Sequence, residues 1–271
     1  AILLGVAHAA FLALCAAAGV LVSARHRTSR GALTVVVSLW FVLWVVVPRL
    51  LPAIADAAYP IPARAAFDAE VEARVRELGD SHNPDDPMFA RLREETLRQH
   101  GVSRVEDLPF NYGGLVMQRA EQLTSNAYAE HRARLLDAYR NQARLVNAGA
   151  IVSPYLAIRS VSAALAGSDM AHQLEFEEQA EAFRYRLIQA LNDLHINEVD
   201  TARDRYAQVN GAPSRQRIDA SFFHRLPTFE FRPPRVAQAL RSQAVALTAA
   251  LIASLLLMAA FAWTARAARL G

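Results

Sequence analysis

The chain has 271 residues, of which 53% are apolar and 20% charged. All 29 basic residues are arginine, so a phosphate loop of the GxxxxGKS/T kind is impossible and ATP hydrolysis by that route is excluded. The charges are sorted along the chain: the 26 acids fall between Asp56 and Glu230, and residues 56–236 hold 22 of the arginines, a net of −4. The flanks carry Arg25, Arg27, Arg30, Arg49, Arg241, Arg266 and Arg269 with no acid at all, a distribution that a water-soluble domain has no physical reason to adopt.

Residues 1–22, 32–51 and 244–263 are apolar runs of the roughly 20 residues that a helix needs to cross a ~30 Å hydrocarbon core. They lack the alternation of barrel strands, so helices are the remaining way to satisfy their backbone in lipid. The first run lacks both an initiating Met and a charged leading segment, and reads as a span rather than a signal peptide. Its Cys15, the single cysteine, has no partner for an intrachain disulfide and reads as a small side chain within the span.

Between the first two runs stands "SARHRTSR", with Arg25, Arg27 and Arg30. Cytoplasmic loops close to span ends collect arginine, so this stretch (residues 24–31) reads as the cytoplasmic turn of a helical hairpin. The tail "TARAARLG" then lies on the same side. The first span therefore runs inward, the second outward and the third inward, leaving residues 56–236 outside. Residues 1–55 form the hairpin, and residues 237–271 the last span and its tail. Arg25, Arg27 and Arg30 are candidates for contact with anionic lipid or a cytoplasmic partner. An odd number of spans suggests the C-terminal piece of a longer protein.

The exterior segment has a helical texture of Ala, Leu, Arg, Glu and Gln. "YPIPA" ends the second span. Phe67, Val71, Val75 and Leu78 then trace one apolar stripe. "GDSHNPDDP" is a loop, followed by a short helix over 88–100 that Gly101 closes. Ser103 and Glu106 stand at capping-box spacing for a further turn. After "LPFNYGG" no Gly or Pro occurs until Gly149, which predicts a helix of about 35 residues with Tyr128, Leu135, Tyr139 and Val146 as its stripe. A shorter helix starts at Pro154 and ends at Gly167, and Ser168 is placed to cap a second long helix over 169–209. Phe176, Phe183, Leu187 and Leu194 repeat the spacing of the first long helix, which predicts antiparallel packing of the pair. "FFHRLPTFEFRPP" is a non-helical return to the membrane, whose Phe222, Phe223, Phe229 and Phe231 would pack on those helices or meet lipid.

No GxSxG, HExxH or paired CxxC pattern occurs, and no catalytic residue is assigned. His82, Asp85 and Asp86 carry ligand chemistry for a divalent cation, but an Asn–Pro bend with helix-capping acids explains them more simply. His172 and Glu175 beside Asp169 are likewise better explained as surface pairing on one helical face. No metal site is therefore expected, and with the excess arginines confined to span ends no nucleic-acid partner is expected either.

"SHNPDDP", "NYGGLVMQRAE" and "SPYLAIRSVSAALAGSDMAHQLEFEEQAEAFRYRLIQALN" resemble ABC-2-type transporter permease subunits that carry a large helical extracytoplasmic domain of uncharacterised role. The resemblance covers about residues 80–197, and the flanking spans agree with it in number and order. Positions matching that pattern are His82, Asn83, Pro84, Asn111, Tyr112, Ser153, Pro154, Arg159, Asp169 and His172. The resemblance implies an all-α membrane protein of the bacterial cytoplasmic (inner) membrane. It further implies pairing with a second permease subunit, as a homo- or heterodimer, and a separate ABC ATPase subunit that supplies ATP and Mg. No cofactor is expected in this chain, and the first three spans of such permeases have no counterpart in it. The alternative is a membrane-anchored extracytoplasmic sensor or ligand-binding protein; a metal-dependent hydrolase around His82 and Asp86 is a third.

Overall fold

The computed structural model describes residues 2–83, 85–199 and 219–270. Among them there is no strand. Three helices are long and apolar enough to cross a membrane: α1 (Ile2–Arg25), α2 (Ser29–Ala58) and the Ala244–Trp263 part of the last helix. The remaining helices are α3 (Arg64–Leu78), α4 (Pro87–His100), α5 (Tyr112–Ala148), α6 (Pro154–Ala166), α7 (Met170–Glu198), α8 (Val236–Ser242) and α9 (Ala244–Leu270). Two compact units divide the chain, the first made of Ala1–Ile61, Leu136–Phe176 and Arg232–Gly271, the second of Pro62–Leu135 and Glu177–Phe231.

In the first unit, Thr28 ends the Arg-rich turn by accepting the Gly31 N–H, which caps α2. The Arg25 guanidinium, at the end of α1, lies 4.9 Å from the ring centre of Trp263 near the end of α9. That stacking sets α1 and α9 side by side in the same direction, with α2 returning between turns. α6 packs against α1, α9 and part of α2. Its composition explains this: Leu156, Ala157, Val161 and Ala164 are buried, and Ala150, Ala157, Val161 and Ala246 form one small-residue core joined by Ala7 and Leu165. Small side chains let helix backbones approach closely where lipid supplies no hydrophobic drive. At Gly149 a Cβ would run into the Leu51 side chain of α2, which would have to shift to admit it.

In the second unit the α3 stripe is as the sequence predicts, with Val71 completely buried and Phe67 edge-on to His131 at 6.4 Å. Asp86 caps α4 by accepting the Met88 N–H, and Gly101 ends it in the left-handed conformation. The turn after it is a short 3-10 helix (Val105–Asp107), fixed by the Arg104–Asp107 fork at 2.9 and 3.1 Å. Ser103 makes no cap there: the residue in that place is Arg104, which has no side-chain cap bond.

The antiparallel pairing of α5 with α7 is present within this unit. Gln118 meets Asp193, Glu121 meets Arg184, and Arg132 meets Glu177, so residue numbers rise on one helix as they fall on the other. The stripe read from the sequence is displaced on α5, where Tyr128 is 43% exposed while its neighbours Ala127 and His131 are buried. Phe176 on α7 is also exposed, at 42%. Large aromatics at heptad spacing suggested the seam, but the close approach is made at Gly114. The expected continuation of the second long helix to residue 209 lies outside the described residues, beyond Glu198. The return segment is extended after a 3-10 turn (Ala220–Arg225), and Phe229 packs on Phe183 at 5.3 Å.

Gly114 marks the tightest point of that pair, since a Cβ there would lie 2.8 Å from the backbone nitrogen of Ile196. G114A gains up to about 1 kcal/mol of helix propensity but forces α5 and α7 apart, an overpacking cost of about 1–3 kcal/mol. The net effect expected is a lower thermal midpoint, read by circular dichroism in detergent.

Candidate functional site

In α2 the α-helical pattern gives way to a π segment over Val42–Val46, with the Val47 N–H donating to the Val42 carbonyl. Continued in that five-residue register, the next bond would run from residue 48 to the Leu43 carbonyl. Residue 48 is proline and has no N–H to give. The vacancy is filled from another helix: the Ser153 hydroxyl donates to the Leu43 carbonyl at 2.6 Å. Ser153 is completely buried and also accepts the Leu156 N–H at 3.4 Å, capping α6. One side chain thus satisfies an orphan acceptor in a span and an orphan donor at a helix start. Trp44, inside the same segment, stands between Phe11 of α1 at 6.0 Å and Tyr155 of α6 at 6.3 Å.

The other resemblance positions follow the same logic. Asn111 is buried, and its Oδ1 accepts the Gly114 N–H at the start of α5. Its Nδ2 donates to the Val199 carbonyl and its backbone N–H to the Ile196 carbonyl, which ties the start of α5 to the end of α7. Tyr112 follows as the first residue of α5 and donates to the Phe89 carbonyl at 3.5 Å. Loss of hydration pushes its phenol above the ordinary value, offset in part by Arg93.

At the start of α7 the cap is Asp169 rather than Ser168. Its Oδ1 accepts the His172 N–H and bonds His172 Nδ1, while Oδ2 accepts from Gln243 Nε2 at 3.3 Å. Gln243 is buried at the break between α8 and α9, and its Oε1 has no hydrogen-bond partner. Asp carries two accepting oxygens against one hydroxyl for Ser, which lets it cap α7 and hold the base of the last span together.

Asn111, Ser153 and Asp169 are therefore helix caps, Pro154 and Tyr112 are first-turn residues, and His172 sits in the first turn of α7. They are not gathered into one cluster. His82 is exposed and bonded to Asp80, and Asn83 accepts the Asp85 N–H within the same turn. Asp86 accepts N–H groups from Asp80 and Met88, which hold its carboxyl below the usual carboxylate range. These bonds account for the acids as turn and cap residues, and no group of three metal-ligating side chains occurs among the described residues. Pro84 lies outside the described residues, and Arg159 is exposed on α6.

A cleft in the second unit, which the sequence reading did not single out, has a volume of about 390 Å³. Leu92 of α4, Leu115, Gln118, Arg119 and Gln122 of α5, and Tyr185 and Gln189 of α7 line it. Beside it, Arg184 bonds Glu181, Glu121 and Ser125, and those carboxylates hold its guanidinium still more firmly protonated than usual. The available signal was the pairing of Gln118 with Gln122 and of Tyr185 with Gln189, each four residues apart on facing helices.

Fold and span bundle together define an all-α membrane protein. A family model described as a domain of unknown function (DUF3526) matches residues 63–232, and the chain belongs to that family. No curated protein and no solved structure matches it.

S153A leaves the Leu43 carbonyl without a donor and is expected to cost about 1–3 kcal/mol of stability. P48A restores an N–H at the position the π register requires. In a double-mutant cycle followed by unfolding in detergent, the S153A penalty should fall by half or more in the P48A background; an unchanged penalty would show that the Leu43 bond contributes little.

Proposed function

We propose that this chain is a membrane-spanning permease subunit of an ATP-driven ABC-type exporter. It would act with a second permease subunit and a separate ATPase subunit that binds ATP and Mg. The observation that carries the reading is the interrupted span: α2 changes helical register within its apolar stretch, and a buried side chain from α6 takes the freed carbonyl. Irregular backbone at membrane depth is tolerated where protein covers it or where it lines a path. Broken helices mark the transport sites of many carriers. A span that served only as an anchor would have no use for the defect.

The arginine distribution supports an orientation with Arg25, Arg27, Arg30 and Arg266 on the cytoplasmic side, where the ATPase acts, and the second unit outside. The bacterial cytoplasmic membrane is the location this reading requires. A second reading, a membrane-anchored ligand-binding protein, is favoured by the cleft on α4, α5 and α7.

Affinity purification of the tagged full-length protein from its native membrane distinguishes the two. The permease reading expects a nucleotide-binding subunit to co-purify in stoichiometric amount, together with ATPase activity. Purification of the chain free of any ATPase, under conditions that keep known transporter complexes intact, would contradict it.

A further inference from the structure

The cleft of the second unit holds polar groups that the fold leaves unused. Gln189 stands on the wall, but its Nε2 is buried without a hydrogen-bond partner and closed off from the cleft. Arg119 faces the same space. Its Nη1 donates to Gln122 Oε1 at 2.6 Å, and no carboxylate pairs with it among the described residues. That bond occupies the Gln122 carbonyl and leaves its amide nitrogen to donate. Gln118 donates its own nitrogen to Asp193 at 2.6 Å, which leaves the Gln118 carbonyl as an acceptor on the wall. The neighbouring acids Glu121 and Glu181 are both engaged by Arg184. Tyr185 adds a hydroxyl, and Leu92 and Leu115 supply an apolar side.

The wall therefore presents the Arg119 guanidinium, which has no carboxylate partner among the described residues, beside the Gln122 amide nitrogen and an apolar side. A cation would meet Arg119. Two oxygens of an anion suit a guanidinium fork and a flanking amide. The volume of about 390 Å³ lies within the range of small-molecule sites.

We propose that this cleft binds a small organic carboxylate borne on an apolar body, with Arg119 and the Gln122 amide holding the carboxylate and Leu92 and Leu115 receiving the apolar part. The site is independent of whether the spans transport anything, and it requires no partner subunit. In the permease reading it would hold a cargo or regulatory ligand; in the ligand-binding reading it would be the principal site.

Isothermal titration of the full chain in detergent with N-acetyl-L-leucine tests it. N-acetyl-L-leucinamide serves as the neutral counterpart, and acetate and inorganic phosphate as anions lacking the apolar body. Saturable binding of N-acetyl-L-leucine is expected, with the amide and acetate each weaker by about tenfold or more, the size of one charge-assisted bond. Arg119→Gln and Gln122→Leu should each weaken binding by about tenfold, while Arg159→Gln, on α6, should leave it unchanged. A thermal midpoint for each variant close to that of the parent assigns the loss to the site rather than to unfolding. Equal binding of acid and amide, undiminished binding by Arg119→Gln, or no saturable heat with N-acetyl-L-leucine would overturn the proposal. Phosphate binding as tightly as the carboxylate, and lost in Arg119→Gln, would reassign the cleft to phosphate-bearing ligands and overturn it equally.

Discussion

Where water is absent every peptide group must find its partner within the protein, and the first unit meets that demand at its most awkward point through Ser153. A proline at residue 48 removes the donor that the π register would send to Leu43. The Ser153 hydroxyl, 2.6 Å from that carbonyl, closes the gap and so fixes where α6 begins. From that point the small-residue core follows, because α6 starting there lays Ala157 and Val161 against Ala246 of α9. Gly149 leaves room for the Leu51 side chain of α2 beside it.

The same requirement governs the second unit, in a milder form because water can reach it. Asn111 answers for three backbone groups at once, joining the start of α5 to the end of α7. In the first unit, Asp169 likewise answers for the start of α7 and for the base of α9. Asn111, Tyr112, Ser153, Pro154, Asp169 and His172 thus stand at helix starts. Their work is positional: they decide which faces of α5, α6 and α7 meet, and hence where the cleft opens and how the spans are gathered. Chemistry, where present, lies in side chains pointing away from the caps, on the cleft faces of α5 and α7.

The sequence made the spans legible because a bilayer excludes charge over a fixed length, and nothing in a soluble core imposes so sharp a rule. It also made the α3 stripe and the Asp86–Gly101 limits of α4 legible, since these are local patterns. Three features needed the structure. The π segment depended on a donor lost at Pro48 and a hydroxyl 110 residues away in sequence. The seating of α6 against the spans depended on alanines whose value lies in what they permit rather than in any periodicity. The seam of α5 and α7 was misread because Tyr128 and Phe176 look like core residues by size, whereas Gly114 makes the close approach. Among the caps, Asp169 displaced the expected Ser168 because a carboxylate can accept from α7 and from Gln243 together.

Three helices are long and apolar enough to cross a bilayer, and the contact of Arg25 with Trp263 brings the arginine-bearing ends of α1 and α9 together, so both ends are expected on one face. Single cysteines placed at Arg27, Arg266 and Asp85 in a Cys15→Ala background, probed in sealed vesicles with a membrane-impermeant thiol reagent, test it directly. The expected result is equal protection of the first two positions and the opposite behaviour at Asp85. Labelling of Arg27→Cys and Arg266→Cys from opposite faces would contradict it.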